Sequence, residues 1–122
     1  MSDAAEDHLP LSVPVYQILL SVSDRALHGY AVIQDVRART DGEVELTAST
    51  LYGAVRRMLD AGMVEEVDSP PDADADDPRR RYYAVTSFGR AVVRAEAERL
   101  ERALAQARAK RVWSPSVRER GA

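Results

Sequence analysis

Five side chains in one short stretch carry the most suggestive chemistry of the chain: Ser49, Thr50, Tyr52, Arg56 and Arg57. Three hydroxyls and two guanidinium forks suit phosphate oxygens, and an Arg fork also matches the edge of guanine. A second cationic group, Arg79, Arg80 and Arg81, follows a run of acids further along. The histidines do less. His28 titrates near neutrality and would suit a general base, but it adjoins Gly29 at a helix start, where a cap or turn is the simpler role. His8 lies 20 residues before it, and without cysteine the two make no recognisable metal site. No Gly-x-Ser-x-Gly elbow and no phosphate-cradling glycine loop occurs. The expectation is a protein that is not an enzyme and needs neither cofactor nor metal.

The chain has 122 residues, one domain's worth, and its 45% of hydrophobic residues is enough for a core. The formal charge of −3 argues on its face against a polyanionic partner, yet the charges are segregated. Residues 1–77 hold 5 Arg against 16 acids, net −11, whereas residues 78–122 hold 12 bases against 4 acids, net +8. Global charge therefore does not decide the partner. Cysteine is absent, which removes disulfide frameworks and thiol nucleophiles and suits a reducing cytosol. No apolar run approaches the roughly 20 residues that span a bilayer. The acidic start (Asp3, Glu6, Asp7) is unlike a signal peptide. A cytoplasmic protein that avoids membranes is expected.

The elements that must position these residues can be read from periodicity. Val15, Ile18, Leu19 and Val22 describe one face of a first helix within Val13–Val22. A second, short helix runs from Tyr30, with Ile33 and Val36 inward, and stops near Thr40-Asp41-Gly42. A third begins at Thr47 to Ser49, either of which can cap it. Leu51, Val55, Met58 and Leu59 are its buried stripe, and Gly62 ends it as a C′ glycine. Its other surface presents the five side chains above. Met63–Val67 and Arg81–Val85 have strand composition around Asp68–Pro78, which contains three prolines and five acids. They make a hairpin with a long acidic tip, the tip being most simply a disordered connector. Alternation along the second strand puts one of Tyr82 and Tyr83 in the core and the other outside; at least two of Tyr30, Tyr82 and Tyr83 are expected in the core. From Ser87 to about Lys110 a long helix carries Val93, Ala97, Leu100, Leu104 and Ala107 as a heptad seam. Arg94 with Glu98, and Glu98 with Arg102, support its exposed side.

Helix, helix, helix, hairpin, long helix is the layout of a winged helix-turn-helix: a mainly α (α+β) fold of three helices and a two-stranded wing, with a long C-terminal dimerisation helix. In that layout the third helix enters the major groove of DNA and the hairpin flanks the duplex. The expected division is a polar leader without fixed structure at 1–8, a winged-helix domain at 9–86, the dimerisation helix at 87–111 and a flexible tail at 112–122.

Four blocks then resemble those of PadR-like transcriptional regulators: His28-Gly29-Tyr30, Thr50-Leu51-Tyr52-Gly53, Leu59-x-x-Gly62-Met63-Val64, and Arg80-Arg81-Tyr82-Tyr83-Ala84-Val85-Thr86-x-x-Gly89. They occur in order between residues 28 and 89, and the resemblance covers roughly residues 9–105. The resemblance implies a dimeric, usually repressing, DNA-binding protein with a pseudo-palindromic operator. It implies that Ser49, Thr50, Tyr52 and Arg56 lie on the recognition helix and that Arg79 to Arg81 lie on the wing near phosphate. It further implies that Val93, Ala97, Leu100 and Leu104 make the dimer, with Val15 and Leu19 packing on the partner's long helix. The seam adds Ala107 to that contact, and Arg57 joins the DNA-facing set.

Two features depart from the family pattern. The wing tip is acidic, so Asp72, Asp74, Asp76 and Asp77 should stay away from DNA. The C-terminal extension is one helix and a tail, as in the family's shorter members. Some of these resemble sensors of small aromatic effectors; Trp113 lies beyond the seam, and that role is not assigned to it. The alternative reading is a winged-helix protein-interaction module that no longer binds DNA and engages a basic partner through the acidic wing.

Overall fold

A computed structural model describes residues 4–70 and 80–115. Helix α1 spans Val13–Ser21; Ser12 caps it by accepting the Val15 N–H at 3.3 Å, and a proline occupies its first turn. A two-residue strand, β1 (Leu27–His28), leads directly into α2 (Gly29–Arg39). Helix α3 covers Ala48–Asp60, strands β2 and β3 cover Val64–Val67 and Tyr82–Val85, and α4 covers Ser87–Ala109.

Caps set the helix starts. His28, Thr47 and Thr86 each accept a backbone N–H from inside α2, α3 and α4, from Ala31, Thr50 and Gly89 respectively. Helix α3 ends in a Schellman turn: Gly62 takes a positive φ of 78°, its N–H donates to Leu59 O, and the Met63 N–H donates to Met58 O. The chain is thereby aimed straight into β2.

The core is built by α1, α2, α3 and the start of α4. Leu19, Val36, Leu51, Ala54 and Val92 have no exposed surface. The apolar stripes differ slightly from their periodic reading. On α2 the inward pair is Val32 and Val36, with Ile33 half-buried; on α3 Ala54 is fully buried and Leu59 is not.

The sheet has three antiparallel strands in the order β1-β3-β2: the expected two-stranded wing, β2 and β3, is joined by β1, which was not foreseen. Leu27 pairs with Tyr83 and His28 with Tyr82 on one side of β3, and Val64–Val67 pairs on the other. This extra strand corrects the tyrosine expectation. Both Tyr82 and Tyr83 are buried, because the His28 ring lies edge-on to Tyr82 with centroids 5.4 Å apart. Alternation assumes one wet face, and here both faces of β3 are covered.

The leader also departs from expectation. Ala5–His8 form a 3-10 turn packed on α4, with the His8 and Phe88 rings edge-on at 5.4 Å. Behind it Glu96, on α4 and buried, accepts from Arg99 Nε and Nη2 at 2.8 Å each and from the Leu11 N–H. Arg99 foremost, and the Leu11 amide after it, hold the Glu96 carboxyl below the usual glutamate range against the opposing effect of burial. No described helix is long and apolar enough to cross a membrane.

Candidate nucleic-acid interface

The exposed face of α3 is a consequence of its buried one. With Leu51, Ala54, Val55 and Met58 inward, helical rotation leaves Ser49, Thr50, Tyr52, Arg56 and Arg57 exposed. Ser49 and Thr50 sit in the first turn beside the free amides of the helix start. Thr50 also serves the cap: its N–H donates to Thr47 Oγ1 at 3.1 Å, and the Thr47 hydroxyl donates to Thr50 Oγ1 at 3.0 Å.

Between this face and the base of the wing lies a groove of about 740 Å³. Tyr52, Arg56 and Asp60 line it from α3, Arg80, Arg81 and Tyr83 from the wing, and His28, Gly29 and Tyr30 from the start of α2. Four of the eight residues expected on DNA therefore converge here: Tyr52, Arg56, Arg80 and Arg81. Arg57, 100° further round the helix, turns away. It lines a separate cleft of about 290 Å³ with Pro10, Leu11 and Val15. Arg79 and the acids of the wing tip lie outside the described residues.

Two glycines fix the groove. A Cβ on Gly29 would collide with the Tyr52 phenol and the Leu51 side chain, so a larger residue there would have to displace both. A Cβ on Gly89 would run into the Met63 carbonyl, where the Thr86 N–H also docks at 3.0 Å. The four sequence blocks thus meet in pairs: 28–30 against 50–53, and 59–64 against 80–89.

Electrostatically the groove is cationic with local acids. Arg56, Arg80 and Arg81 share the groove with Asp60, and Glu66 stands 3.6 Å from Arg81 at the surface. The Arg80 Nη1 lies 3.2 Å from His28 Nε2. Burial, and secondarily the Arg80 charge, holds the His28 ring below the usual histidine range, so it is neutral at physiological pH. Burial pushes the Tyr83 hydroxyl up, with the neighbouring Tyr52 and Glu66 adding to it.

His28 and Tyr30 were not among the expected DNA-facing residues. Their signal was present in the His28-Gly29-Tyr30 block, but the cap explained His28 and the core was the default for tyrosine. Tyr30 is 59% exposed and Tyr52 51%, two aromatics with hydroxyls at the groove. Among the described residues no cluster of His, Asp or Glu could hold a metal ion.

The residues expected at the dimer contact divide by burial. Leu19 has no exposed surface, and Val15 and Val93 retain only 9% and 8%. All three belong to the protomer's own core, because the α1 stripe is covered by α3 and α4 of the same chain. On α4, burial ends at Glu96. Ala97, Leu100 and Leu104 are exposed and Ala107 half-buried.

Three helices, a short third strand, a wing and a groove between α3 and the wing base define a winged helix-turn-helix protein. The sequence profile of the transcriptional regulator PadR-like family matches residues 18–95. The chain belongs to that family. An uncharacterized protein of Lysinibacillus sphaericus is 27% identical over 74 residues, 61% of this chain and 65% of that relative, so the match spans just under two thirds of its length. A transcriptional regulator from Clostridium thermocellum superposes with a TM-score of 0.65 at 22% identity, covering 83% of this chain and 90% of the other. Bacillus subtilis PadR, solved in complex with operator DNA, superposes with a TM-score of 0.58 at 18% identity over 75% of this chain and 48% of its own.

Proposed function

We propose that this protein is a sequence-specific, DNA-binding transcriptional regulator that acts as a homodimer in the cytoplasm and represses by occupying a pseudo-palindromic operator. The observation that carries the reading is the groove in which Tyr52, Arg56, Arg80 and Arg81 converge from the third helix and the wing base. A helix that presents hydroxyls and a guanidinium beside a cationic wing base can read base edges and hold phosphates together. The operator complex of the Bacillus subtilis neighbour supports the same use of this architecture.

Homodimerisation is supported by α4. Its 23 residues extend past the domain, and Leu100 and Leu104 are 39% and 40% exposed one turn apart. A second copy is the simplest cover for such a seam. Two recognition helices would then enter half-sites about one helical turn apart.

The test is selection of bound genomic fragments by the purified protein, followed by anisotropy titrations on the enriched duplex over a range of salt. Affinity should fall steeply with salt, and Arg56→Ala should weaken binding by about 1–3 kcal/mol. A folded dimer that binds no duplex at low salt would overturn the reading in favour of a protein-interaction module.

A further inference from the structure

His28 is asked to accept twice. Its Nδ1 takes the Ala31 N–H at 3.2 Å as the cap of α2, and its Nε2 faces the Arg80 Nη1 at 3.2 Å. A neutral imidazole has one acceptor nitrogen and one N–H, and a guanidinium has donors only. If Nδ1 is the acceptor, the ring proton sits on Nε2 and points at Arg80, donor facing donor. If the proton sits on Nδ1, the conflict moves to the Ala31 amide.

Geometry chooses between the two tautomers. The Ala31 amide belongs to the first turn of α2 and cannot turn away, whereas Arg80 is on a long side chain at the mouth of an open groove. The cap is kept, Nε2 carries the proton, and two donors from different elements face each other across 3.2 Å. Such a pair is satisfied by an acceptor that both can reach. An anionic oxygen suits best, because one partner is a cation and Arg56 and Arg81 line the same groove.

We infer that His28 is a DNA-contacting residue of this interface: its Nε2–H and the Arg80 guanidinium take one non-bridging oxygen of a backbone phosphate between them. The inference rests on the DNA-binding reading and adds a residue and a tautomer to it. The cap on α2 and the phosphate contact are then one device. The Ala31 amide holds Nδ1 as acceptor, which obliges Nε2 to donate outward. The edge-on Tyr82 ring and the β1–β3 pairing hold the imidazole plane.

The test uses the full chain and a mixed-sequence duplex of about three helical turns at low salt, since phosphate contacts act on any sequence. His28→Asn keeps a good N-cap but does not reach the Arg80 guanidinium. The expected result is a melting temperature lowered by a few degrees, since the edge-on contact with Tyr82 is lost while the cap is kept, and roughly tenfold weaker binding, the loss of one hydrogen bond to a charged group. The salt dependence should be unchanged, because a neutral ring displaces no counterion. Arg80→Ala should weaken binding and also reduce the salt slope by about one for each protomer engaged. The double variant should lose less than the product of the two single losses, because both act on one oxygen. Wild-type binding with an undiminished His28→Asn variant overturns the inference and leaves DNA binding intact. Absence of wild-type binding overturns both. Should His28→Asn fail to fold, ¹⁵N shifts of the wild-type imidazole decide: an Nε2–H tautomer that shifts on adding duplex is expected, and an Nδ1–H tautomer overturns the inference.

Discussion

Gly53 stands in the interior of α3, where glycine is a poor choice for the helix itself. Relative to alanine it costs about 0.8–1 kcal/mol, through backbone entropy that the folded state must give up. Nothing among the described residues requires it. A Cβ built there meets only the Arg57 Nη1, at 3.8 Å, an ordinary van der Waals contact. Gly29 and Gly89 differ, since a Cβ at either would strike neighbouring atoms of the same chain. A partner lying on α3 is the remaining way for this glycine to matter. The residue shares a face with Ser49, Tyr52 and Arg56, so a duplex lying against that face would approach the bare backbone. Gly53→Ala should move two quantities in opposite directions. Unfolding free energy should rise by about 0.8–1 kcal/mol, which raises the melting temperature by about 4 °C for a chain this size. Duplex affinity should fall by about 1–3 kcal/mol, the worth of a single DNA interaction that the methyl would push apart. Thermal melts followed by circular dichroism give the first number, and anisotropy titrations on the enriched operator give the second. A stabilised variant that binds as tightly as wild type would refute the close approach. A destabilised variant would refute the claim that the site is sterically open.

Gly89→Ala should destabilise the fold by about 1–3 kcal/mol, because the methyl meets the Met63 carbonyl and the hinge between wing and α4 must shift; a melt indistinguishable from wild type would contradict that packing. Glu96 has a depressed folded pKa, so its contribution is complete above the unfolded value near 4.3 and disappears as pH falls through the lower folded value. Glu96→Gln should accordingly flatten the loss of stability with acid in that window, as read from melting temperatures between neutral and acidic pH; parallel curves for the two proteins would remove the assignment. Leu104→Glu puts a charge on the exposed seam of α4 and should leave the domain folded while producing monomers in sedimentation velocity; a dimer that survives it would move the interface elsewhere.

How far the chain could be read depends on the range of the interactions that decide each feature. Helix stripes and their ends are local. Leu51, Val55 and Met58 announce α3, Gly62 ends it with a positive φ, and Thr47 caps it as one of the expected hydroxyls. The strand Leu27–His28 has no such signature, because two residues show no period and its pairing partners lie more than fifty positions away. The same strand explains why Tyr82 is buried against the alternation rule. Buried Glu96 was invisible for a related reason: a glutamate in a charged helix is exposed by default, and only the arrival of Leu11 and the leader covers it.

By itself the sequence determined the order and type of the four α-helices and the hairpin, the winged-helix class, and which side chains on α3 would be left outside. Those follow from periodicity and chain sterics, which act within a few residues. Tertiary structure alone decided what those side chains could do together. It brought Arg56 to Arg80, Arg81 and His28 across the groove and turned Arg57 into another cleft. It also withdrew Val15, Leu19 and Val93 into the protomer's core, leaving Leu100 and Leu104 outside. The physical reason is common to all of these. A helix fixes the angle between its own residues, but only packing against distant segments fixes what each residue faces.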